Sequence, residues 1–365
     1  MSEVLIKELS NQDIDWMSKI GYRQDIEPGE VLVHQGQPLD EMHILLDGEL
    51  TVSLTQDDDN PLGRAFAALE GGKLAGREIA RLYSGEMVGE IPFMETYLPS
   101  TTVCASTSST VLTIPKVELF EKLQEDVSFA AHIHRASAML LANRLQQMIQ
   151  GIGNSTIVLS RPQLREALII FAELHDSDID WLITAGRVQQ FSAGSVLIRS
   201  GRPIEALHIL LDGALALNGA EDGGNSLVRA FANLEDNQSE VIETELGRLS
   251  RGDIVGETPF IEMESPGVTV KALRDSRVLL IPRWRLGAKL LHDVGFAARF
   301  YRVLAIILAD KQQEIVQRLG YGRLRYSKGE SLEQSFANEL DNEFLGQVAI
   351  AGARFEWMLK KIGVE

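Results

Sequence analysis

The sequence predicts a mainly β protein with flanking helices (α+β), made of two similar jelly-roll domains in tandem and a C-terminal helical tail. Three observations lead to this prediction: segments that recur at a nearly constant spacing, short strands separated by turns, and long helices with an apolar stripe. A chain of 365 residues is long for one hydrophobic core. It is sufficient for two domains of about 150 residues each.

The duplication is visible in segments that recur 165 positions apart. The paired segments are 11–21 with 176–186, 43–48 with 208–213, and 64–67 with 229–232. Because this spacing equals the length of a whole domain, it indicates two copies of one fold rather than a chance motif. We therefore predict a first domain at 1–155, a second at 156–320, and a C-terminal helical segment at 321–365 that has no counterpart in the first copy.

Each element of the first copy has its own local signal. Residues 11–20 are predicted as an opening helix, with Asn11 or Asp13 as the N-cap. Short apolar runs between turn residues predict strands at 31–34, 42–46, 49–54 and 111–115. Strands of this length, with turns roughly every eight to twelve residues, are typical of an antiparallel barrel or jelly roll.

The region after the strand at 49–54 is long in both copies. Residues 62–69 and 77–82 are predicted as an additional hairpin, and 227–234 and 243–249 repeat it. The sequence leaves open whether this hairpin extends a sheet or binds a partner.

A long helix follows the β region of each copy, because apolar residues recur there at helical spacing. The stripes are Phe129, Ile133, Ala136, Leu140, Leu141, Leu145 and Met148, and Phe296, Phe300, Val303, Ile307, Leu308 and Ile315. Such a stripe usually packs into its own domain. Since the β region already has a core of its own, part of the stripe is free to face another subunit, and we expect a homo-oligomer formed through these helices.

The C-terminal segment contains a further helical pattern at 344–362, with Ser331 as the cap of a helix before it. Phe355, Met358, Leu359 and Ile362 form its apolar face. This face is expected either to dock on the protein's own surface or to bind a partner.

Composition excludes several classes of function. With 35 basic and 52 acidic residues, the net charge of −17 repels nucleic acids and anionic membranes. Cys104 is the only cysteine, so neither an intrachain disulfide nor a four-cysteine metal site is expected, and a cytoplasmic location fits. The N-terminal residues do not resemble a signal peptide, and we expect no membrane-inserted segment.

The most informative duplicated stretch is GEMVGEIPF at 85–93, which recurs as GDIVGETPF at 252–260. Glycine lets backbone N–H groups come close to an anion, and an adjacent glutamate can accept a hydrogen bond from a ligand hydroxyl. The alternative is that each glycine–acid pair only closes a turn. The repetition of the stretch in both copies favours a shared site.

With PGEVL at 28–32 and LLDG at 45–48 and 210–213, these stretches resemble the cyclic nucleotide-binding domain. That module occurs in catabolite-activator-type regulators and in the regulatory subunits of protein kinase A. The resemblance covers about residues 10–150 and 175–318. It implies a small β jelly roll flanked by helices, with a phosphate-binding cassette between two strands.

The resemblance also implies a set of ligand-binding residues. In this family the cassette glutamate holds a sugar hydroxyl, an arginine nine positions later holds the cyclic phosphate, and backbone amides hold the remaining oxygens. The matching candidates here are Gly89, Glu90, Ser100, Thr101 and Thr102 in the first copy, and Gly256, Glu257 and Thr269 in the second.

Both cassettes depart from the family at the arginine, whose position is occupied by Pro99 and Pro266. Removing a guanidinium–phosphate pair from an anion site costs about 2–5 kcal/mol. That loss weakens binding roughly 30- to several thousand-fold. We therefore predict degenerate cassettes and no bound cofactor.

Enzymatic and metal chemistry have no support in the sequence. His132 and His134 lie two residues apart, on different faces of the predicted helix, and His43 and His208 lie inside strands, where we interpret them as structural. We predict a non-enzymatic regulatory or scaffold protein that acts through protein partners. The alternative is a sensor of cAMP, cGMP or another small ligand that regulates a partner. A DNA-binding transcription regulator is disfavoured, because the tail is short and the chain is acidic.

Overall fold

The chain forms two compact units in the computed structural model. The first unit comprises Met1–Ser155 with Asp293–Leu345, and the second comprises Thr156–His292 with Gly346–Glu365. The residues that the structure describes are 3–54, 77–89, 99, 101–152, 165–220, 243–261, 268–318 and 342–364.

The first copy consists of four helices and eight strands in an order that the second copy repeats. Its elements are α1 (Glu3–Glu8), α2 (Asn11–Ile20), β1 (Tyr22–Ile26), β2 (Val31–Val33), β3 (Glu41–Asp47), β4 (Glu49–Leu54), β5 (Arg77–Tyr83), β6 (Met87–Val88), β7 (Thr102–Ala105), β8 (Ser109–Pro115), α3 (Lys116–Glu125) and α4 (Val127–Ile152).

The second copy is followed by one further helix. Its elements are α5 (Arg165–Glu173), α6 (Asp176–Ala185), β9 (Arg187–Phe191), β10 (Val196–Ile198), β11 (Ala206–Asp212), β12 (Leu215–Ala220), β13 (Glu243–Leu249), β14 (Ile254–Val255), β15 (Val268–Ala272), β16 (Ser276–Pro282), α7 (Arg283–His292) and α8 (Val294–Arg318), and the last helix is α9 (Asn342–Lys361).

Each copy contains two four-stranded antiparallel sheets. Their strand orders are β1-β8-β3-β6 and β2-β7-β4-β5 in the first copy, and β9-β16-β11-β14 and β10-β15-β12-β13 in the second. The alternation predicted for β4 is confirmed, since Leu50, Val52 and Leu54 are fully buried. In the second copy, Val270 of one sheet and Val278 of the other belong to one core cluster, so the sheets pack face to face. The predicted fold class is confirmed.

The opening helix occupies the predicted residues 11–20, but its N-cap is Ser10 rather than Asn11 or Asp13. The Ser10 hydroxyl accepts a hydrogen bond from the Asp13 backbone N–H, and the Asp13 carboxylate accepts one from the Ser10 N–H at 2.7 Å. The prediction was wrong because Asp13 is the second member of a capping box and closes the first turn from within.

Strand β5 pairs with β4 in antiparallel register, with Leu50 opposite Leu82. Residues 77–82 are thus a strand, as predicted, and this strand pairs with the one at 49–54. The other half of the predicted hairpin, 62–69, lies outside the described residues, as does 227–234.

The two long helices pack against each other within the first unit. The Gln312 side-chain amide on α8 donates to the backbone oxygen of Leu141 on α4 at 2.7 Å, and the Arg135 guanidinium lies 5.5 Å from the centre of the Tyr301 ring. Another part of the α4 stripe, including Phe129 and Ile133, belongs to the core with α1, α2 and β3. The described residues of the predicted stripe are therefore buried within the chain, except for Leu145, which is half-buried. A homo-oligomer through these helices stays a prediction. Within the described ranges, no helix is long and apolar enough to cross a membrane.

The last helix, α9, docks on α5 in the second unit. The rings of Phe171 and Phe355 lie 5.1 Å apart, and Met358 and Leu359 are fully buried. This confirms docking on the protein's own surface for the described part of the tail, while Ser331 lies outside the described residues.

The division predicted from the repeat, 1–155, 156–320 and 321–365, differs from the division into compact units. The repeat assigns α8 to the second copy, whereas its packing against α4 places it in the first unit. Likewise α9 belongs to the second unit because it packs on α5. The repeat predicts where each copy begins and ends in the sequence, and these positions need not coincide with the limits of the compact units. The domain boundaries therefore stay a prediction.

Candidate ligand site in the two cassettes

A glycine–acid turn opens each cassette. In the first copy the Gly85 N–H donates to the Leu45 carbonyl at 2.6 Å, and the Tyr83 N–H donates to the Glu86 carboxylate at 3.0 Å. In the second copy the Gly252 N–H donates to Leu210 at 2.7 Å, and Asp253 accepts from the Ser250 N–H at 2.6 Å. These first glycine–acid pairs close turns against β3 and β11. Turn closure is the alternative to ligand binding that the sequence raised.

The second glycine of each cassette is required by the backbone. Gly89 and Gly256 have φ angles of 86° and 94°, in the left-handed region that favours glycine. A Cβ atom on Gly89 would lie 2.8 Å from the Glu41 carbonyl oxygen, and one on Gly256 would lie 2.6 Å from the Ala206 carbonyl oxygen. Both glycines thus let the cassette chain pass close to the start of a neighbouring strand, and this role needs no ligand.

The described cassette threonines also contact the fold. The Thr102 hydroxyl accepts a hydrogen bond from the Gln35 backbone N–H at 3.2 Å, and the Thr269 hydroxyl accepts one from the Ser200 N–H at 3.2 Å. Thr102 and Thr269 are both buried. Thr102 thereby links the β2–β3 connection to β7, the strand that follows the first cassette. Thr269 links the β10–β11 connection to β15 in the same way. Thr101 is half-buried beside Thr102.

The remaining candidates are described only in part. Glu257 precedes a short 3₁₀ helix, Thr258–Phe260, and its carbonyl accepts from the Phe260 N–H at 3.0 Å. Glu90 and Ser100 lie outside the described residues, and so does Pro266. The structure brings Gly89 and Thr102 to the same β2–β3 connection, and Gly256 and Thr269 to the β10–β11 connection.

A buried histidine lies next to each cassette, and the two differ in their partners. His43 Nδ1 lies 3.0 Å from the Thr113 hydroxyl, whereas Leu280 occupies the Thr113 position beside His208. Burial lowers the pKa of His43. Burial lowers the pKa of His208 to about 4, against the opposing effects of nearby carbonyls and of Glu257. Both side chains are therefore neutral near pH 7.

A contact that the sequence did not reveal links the first cassette to a long helix. Arg144 of α4 donates from Nη2 to the backbone oxygen of Met87 on β6 at 2.9 Å, and its side chain is buried. The two residues lie 57 positions apart, and no local pattern marks the pair. The contact connects the helix to the strand that leads into Gly89.

Comparison with known proteins gave a family match in both copies. The model of the family "Cyclic nucleotide-binding domain" matches residues 23–126 and 188–293, which together are more than half of the chain. The two matches contain the β sheets described above, apart from Tyr22 and Arg187 at the start of β1 and β9. A search of curated proteins gave no match.

Solved structures that are similar to this chain include regulatory subunits of protein kinase A. The cAMP-bound PfPKA-R is 12% identical, with 80% of each chain covered and a TM-score of 0.30. The regulatory domain of Toxoplasma gondii PKA with cAMP is 16% identical, covering 80% of this chain and 89% of that chain at a TM-score of 0.28. The guanosine-bound regulatory subunit of a cAMP-independent protein kinase A from Trypanosoma cruzi is 17% identical, with 80% and 81% covered and a TM-score of 0.27. The strand order of both copies and the family match over both of them lead to one conclusion: the chain belongs to the cyclic nucleotide-binding domain family and carries two such domains in tandem.

Proposed function

We propose that this chain is a non-enzymatic regulatory or scaffold protein, whose two degenerate cassettes serve the fold and which acts through protein contacts. The observation that carries the proposal is the structural use of the cassette residues. Gly89 and Gly256 are required by close backbone approach, and the Thr102 and Thr269 hydroxyls accept from backbone N–H groups. These residues of the family motif therefore have structural roles that require no bound nucleotide.

The residue at the arginine position of the first copy also has a structural contact. The Pro99 carbonyl accepts a hydrogen bond from the Gly36 N–H at 2.8 Å. Proline supplies neither a cation nor a backbone N–H to a phosphate. This supports the proposal that the first cassette lacks the arginine that would bind a cyclic phosphate most strongly.

Calorimetric titration of the full chain with cAMP and cGMP tests the degenerate cassettes. We expect no submillimolar binding of either nucleotide. Submillimolar binding that Glu90→Ala or Glu257→Ala abolishes would overturn the proposal. A Pro99→Arg variant is a gain-of-function companion: an increase of tenfold or more in cAMP affinity identifies the missing guanidinium as the limiting factor.

The proposal of protein contacts has support on α7 of the second unit. Trp284 and Leu291 are 70% and 80% exposed, one heptad apart on the same helix face. A homo-oligomer through the long helices stays a prediction, and we propose this α7 face as an additional contact between copies. Sedimentation velocity of the wild type and of a Trp284→Ser/Leu291→Ser variant tests it. We expect association in the wild type and its loss in the variant; a monomeric wild type, or equal association of both, contradicts it.

A second candidate function is a sensor in which a small ligand at the first cassette moves α4 and thereby regulates a partner. The Arg144–Met87 hydrogen bond favours it, because it ties α4 to the cassette strand. Hydrogen exchange of residues 86–89 and of α4 with and without cyclic nucleotide distinguishes the candidates. Coupled protection of both segments supports the sensor, and unchanged exchange supports the scaffold. The predicted cytoplasmic location stays a prediction.

A further inference from the structure

The helices α3 and α7 occupy equivalent places in the two copies, directly after the last strand of each β region. Their sequences, KVELFEKLQE at 116–125 and RWRLGAKLLH at 283–292, correspond to each other without a gap. Leu119 and Leu286 hold the same position in the two helices, and both are buried. The helices therefore turn the same face towards their own domain, and their exposed positions can be compared one by one.

The outward face of α3 is acidic. Its exposed charged residues are Glu118, Glu121 and Glu125. They share one face of the helix because they are spaced by three and four positions. Both lysines of the helix, Lys116 and Lys122, are half-buried, and the Lys122 ammonium pairs with Asp126 at 2.8 Å. The exposed face of α3 therefore carries three carboxylates that no exposed lysine of this helix offsets.

The outward face of α7 has the opposite charge. The residues that replace the three glutamates are Arg285, Ala288 and His292, all of which are exposed. Arg283 is exposed too, and the helix contains no acidic residue. In a chain whose net charge is −17, this face is a local region of opposite sign, and it attracts an acidic surface.

The α7 face also exposes more apolar surface than its counterpart. Trp284 and Leu291, which are 70% and 80% exposed, replace Val117 and Gln124 of α3. The Arg285 guanidinium lies 5.1 Å from the centre of the Trp284 ring, so the charge and the apolar surface are adjacent. A matching surface should therefore combine carboxylates with an exposed apolar residue. The α3 face has this combination, since Val117 is 68% exposed beside the glutamates.

We propose that the α7 face of one molecule docks on the α3 face of a second molecule of this protein. The proposal rests on the α7 contact between molecules put forward above, and it names the surface on the other side of that contact. Docking in this way brings Arg283 and Arg285 towards the glutamates of α3, and Trp284 towards Val117. An α7 face docked on another α7 face would bring the arginines of both molecules together, which opposes association.

Two different faces form a heterologous contact, in which each molecule uses α7 towards one neighbour and α3 towards another. Such association continues beyond a dimer unless a ring closes. Because the contact depends on charges at the surface, it weakens as salt screens them. Growth beyond a dimer and sensitivity to salt therefore distinguish it from a symmetric apolar contact.

Exchanging the charges of the two helices tests the pairing by sedimentation velocity of the full chain. Arg285→Glu/Ala288→Glu gives α7 the side chains of α3, and Glu118→Arg/Glu121→Ala gives α3 those of α7. Each substitution thus installs a side chain that the fold already carries at the equivalent position. We expect each variant alone to associate at least tenfold more weakly than the wild type. An equimolar mixture should associate as the wild type does, because one variant is acidic on both faces and the other is basic on both.

A single substitution provides a milder version of the same test. Ala288→Glu leaves Arg285 and its hydrogen bond to the Ala185 carbonyl in place, and it should weaken association in the same direction. The matched control is Arg248→Gln on β13, which changes the net charge by the same amount outside α7. This control should associate as the wild type does.

The outcomes separate this pairing from the α7 contact on which it rests. A monomeric wild type contradicts both. If Trp284→Ser/Leu291→Ser abolishes association while Glu118→Arg/Glu121→Ala leaves it unchanged, the α7 contact holds and α3 is not its partner. The pairing is also overturned if the mixture of the two exchange variants stays dissociated, or if Ala288→Glu and Arg248→Gln have equal effects.

Discussion

Arg144 Nη2 on α4 lies 2.9 Å from the backbone oxygen of Met87, which is on the strand leading into the first cassette. The Arg144 side chain is 9% exposed, so the guanidinium reaches the strand through the domain interior. A charged donor held in a poorly hydrated place makes a stronger hydrogen bond than one at the surface. The contact therefore fixes the position of β6 relative to α4.

Replacing Arg144 by Met removes this donor and keeps most of the apolar stem. We expect a loss of about 1.5–3 kcal/mol in the free energy of unfolding, as for other hydrogen bonds to charged groups. Urea unfolding measures it. Arg81→Met is the control, since half-exposed Arg81 pairs with Glu49 at 2.9 Å on the surface, where an ion pair contributes little, and its loss should be much smaller. Equal losses in the two variants would show that the buried hydrogen bond stabilises the protein no more than the exposed ion pair does.

The cassette glycines give a second prediction about stability. Gly256→Ala forces a Cβ against the Ala206 carbonyl at 2.6 Å and a side chain into a left-handed backbone, so we expect at least about 1–3 kcal/mol of destabilisation. Gly287→Ala on α7 meets no atom within 4 Å and should stabilise by up to about 1 kcal/mol. Thermal unfolding of both variants checks the opposite signs. Destabilisation of similar size in both would contradict the steric argument.

Features of the fold with a local cause were predictable from the sequence. Alternation in 49–54 arises from the two-residue period of a strand, so β4 was predicted with its buried face. The repeat of HILLDG predicted β3 and β11 alike. Contacts between distant residues were not predictable. The apolar stripe on α4 predicts a buried face, but it does not predict that Gln312 of α8 donates to the backbone oxygen of Leu141. The N-cap was missed because the neighbouring Ser10, Asn11 and Asp13 can all cap a helix, and only geometry selects one.

The sequence predicted which residues form the candidate site, but it did not predict their contacts. The sequence identified Gly89 and Gly256, but their proximity to the Glu41 and Ala206 carbonyls depends on how the sheet folds back.

The docking of α9 depends on Arg354, which gives a third prediction. Its guanidinium donates to the backbone oxygens of Phe171 and Leu174 at 2.9 and 3.0 Å, and to Asp176 at 2.7 Å. These carbonyls are at the C-terminal end of α5, where a cation is favoured. We expect Arg354→Met to weaken docking by about 1.5–3 kcal/mol and to speed amide exchange throughout α9.

The control for Arg354 is Asp176→Asn. The Asp176 side chain is 78% exposed, so removing its charge should change α9 exchange little while the carbonyl contacts persist. If the asparagine variant releases α9 as much as Arg354→Met does, the ion pair rather than helix capping holds the tail.

Two buried histidines predict a loss of stability in acid. His134 Nδ1 donates to the Ala298 carbonyl at 3.0 Å, and burial, aided by Arg302, lowers its pKa to about 3. Burial lowers the pKa of His208 to about 4. Since the unfolded chain takes up these protons near pH 6.5 and the folded chain does so only at lower pH, acid favours unfolding.

Between about pH 6 and pH 4, each of these histidines should lower the free energy of unfolding by roughly 1.4 kcal/mol per pH unit as the pH falls. His134→Gln keeps a donor near Ala298 and removes the titrating group, so its unfolding free energy should depend less steeply on pH by about that amount. Urea unfolding at several pH values measures the slope. An unchanged slope in His134→Gln would mean that His134 takes up its proton equally in the folded and unfolded chain, against the burial that the packing of α4 on α8 imposes.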